Sequence, residues 1–429
     1  MFDPTASTDV FLVRGGRALE GTVRLAGAKN SALKLMAAAI LSEGTVELRE
    51  VPAIADVPVM ADVLRGVGCE VELDLEAGTC RLSPGEVQPI APADAVRRIR
   101  ASLSCLGPLV GRLRHARLPL PGGDRIGARA IDLHARGLEA MGASVALSDG
   151  EVEVHAPQLH GAVVTLDFPS VGATENLMMA AVLADGPTVI DNAAREPEIQ
   201  DLARMLVAMG ARIEGIGSAT LEIEPVDRLG PVTWETCPDR IEAGTYAMAA
   251  AVTGGDVLIE RVRASELTLP LIKLRAAGAV VEEGSHSLRV KADELSSVDV
   301  VTLPYPGFPT DLQPQMMVLL SQAYGTSRCT ENVFESRFSF VHELERMGAD
   351  IEIDGHHALI RGPSRLSGTT LAGLDVRAGA AGVIAGLVAD GRTVVRDVHH
   401  IDRGYAHFVP RLQALGADVQ RVPASDLDG

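Results

Sequence analysis

The sequence predicts an α/β (α+β) fold of two domains, each built from three repeated βαβαββ units. Three observations lead there. A phrase recurs six times, as "LRGVGCEV", "LEAMGASV", "LVAMGARI", "LRAAGAVV", "LERMGADI" and "LQALGADV". Its shared glycines, Gly68, Gly142, Gly210, Gly278, Gly348 and Gly416, are separated by 74, 68, 68, 70 and 68 residues, a repeat of near-constant length. A second apolar helix stands upstream of each copy, and 429 residues suffice for more than one core.

Each phrase reads as the last turn of a helix, stopped by a glycine in the left-handed conformation and followed by a strand of alternating apolar residues. The upstream helices are "SALKLMAAAILSEG", "SLSCLGPLVGR", "ENLMMAAVLADG", "TYAMAAAVTGG", "QPQMMVLLSQAYG" and "AGVIAGLVADG". They are apolar on most faces and are expected to be buried. A short strand such as "TVELREV" or "TVIDNAA" sits between the two helices, and another such as "TLEIEPV" or "HALIRG" closes the unit. No copy looks like a polar capping repeat, so closed domains are expected rather than an open array.

A formal charge of −18 argues against a nucleic-acid surface, which needs clustered excess Lys and Arg. The 39 basic residues are nearly all Arg, the side chain suited to forked recognition of phosphate and carboxylate. Five scattered cysteines form no C-x-x-C pair, which suggests neither a disulfide framework nor a zinc site and fits a reducing cytosol. The beginning of the chain lacks a basic and then apolar leader pattern, and runs such as "LMAAAIL" are far shorter than the ~20 residues of a membrane span. The expectation is a cytoplasmic protein without membrane insertion.

The starts of the buried helices carry more polar residues than caps require. They include Lys29 and Asn30 in "GAKNSA", Arg98 and Arg100 in "RRIRAS", and Ser170 in "FPSVGATEN". Later copies add Asp239, Arg240 and Glu242 in "PDRIEAGT", Asp311 in "FPTDLQP", and Asp375 with Arg377 in "LDVRAGA". Helix N-termini offer unpaired N–H groups and partial positive charge, so a ring of them suits anions. Ser170 and Asp311 are equally readable as plain N-caps, and the arginines as solvated ends. A second polar set follows the middle strands, with Asp124, Arg129, Asp132, His134, Arg195, Glu196, Glu198, Arg337, Asp402 and Arg403.

Two other patterns carry less. "GGDRIG" lacks G-x-G-x-x-G spacing and has no Walker lysine, so nucleotide folds of either kind are poorly supported. His356 and His357 in "DGHHALI" have no ligand partners at metal spacing.

Taken in order, "GAKNSAL", "RASLSCLGPL", "LPGGDRIGARAIDLH", "PSVGATEN", "NAAREPEI", "PDRIEAGT", "FPTDLQP", "ENVFESRF", "LDVRAGA" and "HIDRGY" resemble the UDP-N-acetylglucosamine enolpyruvyl transferases, which catalyse the first committed step of peptidoglycan synthesis. The resemblance runs from about Phe11 to Val422. It implies two inside-out α/β barrel domains, 27–237 and a discontinuous 1–26 with 238–429, and an active site in the cleft between them. It also implies transfer of the enolpyruvyl group of phosphoenolpyruvate to the sugar 3-hydroxyl of UDP-N-acetylglucosamine, with release of phosphate through a tetrahedral intermediate. No metal or organic cofactor is implied. Such chemistry needs an acid, a base and cations for phosphate and carboxylate.

Carried across motif by motif, the resemblance assigns phosphoenolpyruvate to Lys29, Arg129 and Arg403, with Arg100, Arg337 and Arg377 in support. It assigns the amino sugar to Asn30, Asp311 and Val333, with Asp311 as base. Arg129, Ala130, Ile131, Asp132 and His134 fall to the uridine, and Ser170, Val171 and Gly172 to the diphosphate.

This chain departs from the family pattern at three positions. Asp124 stands where most members have cysteine, Ala130 where a proline is frequent, and Phe168 where some members place a lysine. An exposed Asp titrates near ~3.9 and is mostly ionised at neutral pH. Arg125 and Arg129 would push it lower, whereas a dianionic phosphate and loop closure would raise it. The expectation is that substrate binding makes Asp124 the acid, in a loop freed to close by Gly122 and Gly123. Fosfomycin inactivates the family by alkylating the loop thiolate, so a carboxylate there implies resistance. Two other readings remain open. One is a sister transferase acting on shikimate 3-phosphate, which lacks the "DLH" uridine loop; the other is a catalytically silent UDP-sugar binder.

Overall fold

The computed structural model describes residues 9–120, 122, 127 and 131–427. The chain folds as two compact units: a terminal unit made of the chain up to Ala26 and from Pro238 on, and an inserted unit drawn from Gly27 through Cys237.

One layout recurs in both. In the inserted unit, Val163–Thr165 lies parallel to Thr188–Asp191, with Val164 opposite Ile190. Parallel neighbours need a crossover, and the apolar helix Val171–Ala181 supplies it. A second helix, Pro197–Ala208, then leads to Arg212–Glu214 and Thr220–Glu224, which pair antiparallel. Thr220–Glu224 also pairs antiparallel with Thr188–Asp191, closing a sheet of four strands. Among the described residues there are five such four-stranded sheets and one of three strands. In the three-stranded sheet the opening strand is reduced to a single bridge between Ile90 and Arg117.

Two sheets are completed by remote chain. Val232–Glu235 pairs parallel with Val46–Arg49, so the end of the inserted unit opens its own first repeat. Asp9–Arg14 lies antiparallel between Arg392–Arg396 and Asp418–Pro423, and so supplies the strand that the last "LQALGADV" copy lacks downstream. Glu20–Arg24 opens a further repeat alongside Asp256–Glu260.

The phrase glycines all end helices in the left-handed region, with φ from 90° to 114°. After Gly142, Gly210, Gly278, Gly348 and Gly416, the next N–H donates to the carbonyl five residues back, as from Ala211 to Leu206 at 2.9 Å. That bond satisfies a helix-end carbonyl and turns the chain into the next strand.

The upstream helices are buried on every side, as their sequences predict. All 13 residues of Arg240–Val252 and all nine of Gln313–Ser321 are buried. The strands alternate instead: in Glu151–His155 only Val152 and Val154 are buried, so one sheet face turns inward and the other meets water. Helices fill the middle of each unit and sheets form its wall.

Helix contacts in the inserted unit are very close. The Gly107 N–H donates to the Asn176 side chain at 2.7 Å, and a Cβ on Gly107 would lie 2.2 Å from the Asn176 carbonyl oxygen. Gly210 has open space around it and pays only for its backbone angle. Gly210→Ala should therefore cost about 1–2 kcal/mol, and Gly107→Ala about 3 kcal/mol or more through overpacking. Urea unfolding midpoints check this order, and equal losses would contradict the close helix contact.

Candidate active site

In the terminal unit the starts of the central helices converge. Asp239 caps Arg240–Val252, accepting from the N–H groups of Ile241 and Glu242 at 2.8 and 2.9 Å. Asp375 caps Val376–Val388, accepting from Arg377 and Ala378 at 2.7 and 3.0 Å. Asp311 is no cap. It lies in the 3-10 turn Thr310–Leu312 ahead of Gln313–Ser321, and two guanidinium groups hold its carboxylate. Arg337 donates to Oδ1 at 3.1 Å, while Arg377 donates to Oδ2 through Nε and Nη2 at 3.2 and 3.1 Å.

Neither arginine is a solvated end, since their side chains are 1% and 5% exposed. Arg337 also donates to the Thr310 carbonyl and lies 3.8 Å from Asp375. Burial works to raise the Asp311 pKa, but the charges of Arg377 and Arg337 outweigh it and hold it well below the usual carboxylate range. Arg377 in turn lies over the Tyr405 ring, 5.3 Å from its centre. The Tyr405 hydroxyl is 3.0 Å from both Thr245 Oγ1 and Gln315 Nε2, so residues of all three central helices brace this corner.

Glu331 ties Val333 to the same corner. Its Oε1 accepts from the N–H groups of Val333 and Phe334 at 2.7 and 3.1 Å, and its Oε2 accepts from the Thr310 hydroxyl at 2.9 Å. Arg403 is the C-cap of the helix His399–Asp402, two residues before Tyr405.

In the inserted unit Lys29 and Asn30 open the helix Lys29–Ala38, and Lys29 Nζ lies 2.9 Å from the Asp56 carboxylate. Arg100 begins the turn Arg100–Cys105. Ser170 is the N-cap of Val171–Ala181, its Oγ accepting from the Ala173 N–H at 3.3 Å, so Val171 and Gly172 form the first turn with unpaired N–H groups. Ile131 is buried ahead of the helix Asp132–Ala140, and Asp132 pairs with Arg136 at 3.0 Å on the exposed side.

His134 packs its buried ring on Gly172, where a Cβ would stand 2.9 Å from its Nε2. Burial, and after it the positive charge of Arg100, push the His134 pKa down to about 4. Arg100, His134 and the Ser170–Gly172 turn thus form one cluster, while Lys29 pairs with Asp56. Asp124, Arg129 and Ala130 lie outside the described residues.

The loops that carry several of these groups begin with a shared bend. Glu50, Asn192, Arg261 and Asp397 each take φ of 54–59° directly after a middle strand. Sequence reasoning missed Asp56, Glu331 and Tyr405. The last two stand within the quoted "ENVFESRF" and "HIDRGY", but their partners are remote in the chain; Asp56 offered only the signal of an acid in a helix's first turn.

Residues 13–412 match the family of EPSP synthase (3-phosphoshikimate 1-carboxyvinyltransferase). The chain is 54% identical over 416 residues to the UDP-N-acetylglucosamine 1-carboxyvinyltransferase of Corynebacterium jeikeium, covering 96% of this chain and 99% of that one. The chain belongs to the enolpyruvyl transferase family. The protein of the same name from Corynebacterium efficiens is 55% identical over 417 residues, covering 97% and 99%. Among solved structures, the enolpyruvyl transferase NikO from Streptomyces tendae superposes with a TM-score of 0.88 at 28% identity, covering 96% of this chain and 99% of that one. The helices-inside architecture is that of the family, and this chain is an enolpyruvyl transferase.

The low pKa of His134 has a consequence for acid stability. The unfolded histidine titrates near 6.5 and the folded one near 4, so between those values the unfolded chain binds more protons. The His134 contribution is complete above pH 6.5 and is lost as the pH falls towards 4, on the order of 3 kcal/mol at most. Unfolding free energies measured across that window should fall less steeply in His134→Gln than in the natural chain. Identical slopes would show that His134 is not held neutral.

Proposed function

We propose that the chain transfers the enolpyruvyl group of phosphoenolpyruvate to the 3-hydroxyl of UDP-N-acetylglucosamine and releases phosphate, the first committed step of peptidoglycan synthesis. The observation that carries this reading is identity of 54–55% over nearly the whole chain to relatives named for that sugar substrate. It favours the UDP-sugar over shikimate 3-phosphate as acceptor. A silent UDP-sugar binder is disfavoured because Lys29, Asp311 and Arg403 are all retained. The two catalytic domains are 27–237 and 1–26 with 238–429.

Lys29, Arg129 and Arg403 hold phosphoenolpyruvate, supported by Arg100, Arg337 and Arg377. Asn30, Asp311 and Val333 receive the amino sugar. Ile131, Asp132 and His134, with Arg129 and Ala130, embrace the uridine, and a neutral buried ring suits His134 to stacking or hydrogen bonding with a base. The first-turn N–H groups of Val171 and Gly172 face the diphosphate; the Ser170 N–H, expected to join them, instead donates to the Phe168 carbonyl at 2.6 Å. A cytoplasmic location goes with this reading, and no helix among the described residues is long and apolar enough to cross a membrane.

Asp124 protonates the methylene carbon of phosphoenolpyruvate while the sugar hydroxyl attacks the adjacent carbon and yields its proton to Asp311. The tetrahedral adduct then loses phosphate and a proton of its new methyl group, which returns to the Asp124 carboxylate, restoring the double bond. Between two arginines Asp311 is a strong hydrogen-bond acceptor and a weak base. The anionic groups of phosphoenolpyruvate compete for those guanidinium groups and so restore its basicity.

Purified protein should release phosphate from phosphoenolpyruvate only when UDP-N-acetylglucosamine is present. Asp124→Asn should lower the rate roughly a hundredfold or more, and undiminished turnover would remove Asp124 from the proton transfer. Fosfomycin should cause no time-dependent loss of activity, because a carboxylate is a poor nucleophile towards its epoxide. Irreversible inactivation at low drug concentration would contradict the role given to Asp124.

A further inference from the structure

The three-stranded sheet of the inserted unit carries a cluster that the transfer reaction does not use. His115 opens the strand His115–Pro119, and Glu153 and His155 lie two apart on the central strand Glu151–His155. Residues two apart share a sheet face, and the register sets His155 directly opposite His115, so the three side chains meet on the outer face. The inward face of the same strands holds Ala116, Leu118, Val152 and Val154. His115 Nε2 and His155 Nε2 each lie 3.1 Å from the same oxygen, Glu153 Oε1. The two rings stack at 4.0 Å with 15° between their planes.

We propose that His115, Glu153 and His155 form a binding site for a divalent transition-metal ion of the Zn2+ type. All three ligand atoms lie within 4.8 Å of one another. Two imidazole nitrogens with one carboxylate oxygen make the donor set that zinc takes at about 2.0–2.2 Å, and it leaves a fourth position for water. To share one ion the two rings must turn out of their near-parallel stack, so that the planes of both point at it. Imidazole favours Zn2+, Ni2+ and Cu2+ over Mg2+ or Ca2+.

The surroundings leave this set available. The side chains are 28%, 37% and 55% exposed for His115, Glu153 and His155, so an ion can enter from solvent. The neighbouring cation, Arg117, is engaged by Glu151 at 2.7 Å. On the far side the facing residues are Ser144 and Ala146, too small to cover the cluster. A bound ion would cross-link two strands, one of which ends at Pro119, five positions before Asp124 in the chain.

The test uses the untagged full-length protein after chelator treatment, titrated with Zn2+ in a calorimeter and with Co2+ by visible absorption. One ion per chain should bind, and Co2+ should give the intense bands of a tetrahedral nitrogen and oxygen site. His155→Ala and Glu153→Gln should each weaken Zn2+ binding by about tenfold or more, with far-UV circular dichroism of the metal-free variants unchanged. Failure of the natural protein to bind would overturn the proposal. So would full-strength binding in a His115→Ala, His155→Ala double variant, which would assign the ion to other histidines.

Discussion

A buried helix must satisfy the N–H groups of its first turn, and in this chain that requirement sends polar side chains to the ends of otherwise apolar helices. In the terminal unit Asp239 and Asp375 meet it directly as caps. At the third helix the cap position is not used that way; Asp311 is held instead by Arg337 and Arg377. Removing either arginine would leave the Asp311 carboxylate with only one of its two guanidinium partners. The corner therefore persists because each of its charges is needed by another, and it is the corner where the proposed base stands.

The two units use one frame for different polar interiors. In the inserted unit Lys34, Ser104 and Glu175 form the buried network, with Lys34 2.9 Å and Ser104 2.5 Å from the Glu175 carboxylate. The corresponding interior of the terminal unit includes Thr245, Gln315 and Tyr405, linked through hydroxyl and amide groups. A shared βαβαββ layout thus fixes where polar groups can stand and leaves their identity free. This is how one repeat comes to supply a helix start capped by the Ser170 hydroxyl and another an arginine-bound carboxylate at Asp311.

Much of this frame was legible in the sequence because its signals are local. A helix-ending glycine, an apolar helix and an alternating strand each need only a few neighbouring residues, and they recur at near-constant spacing. What was hidden depends on remote partners. The Asp9–Arg14 strand completes a sheet with Arg392–Arg396, and no phrase glycine marks it. Asp311 reads as a cap in "FPTDLQP" until Arg377, 66 positions on, is seen to reach it. His115 and Glu153 are 38 positions apart and meet only because two strands pair. The family motifs pointed to most of the candidate residues, but not to the way Asp56, Glu331 and Tyr405 hold them.

The most direct test of the account is the proton itself. Transfer by addition and elimination with a carboxylate acid requires that a solvent proton enter the methylene carbon of the enolpyruvyl group and that one leave it again. The reaction run in D2O with both substrates and followed by mass spectrometry should place deuterium at that methylene in the natural chain, and much more slowly in Asp124→Asn. Turnover without deuterium at the methylene, or incorporation at the same rate in both proteins, would contradict it.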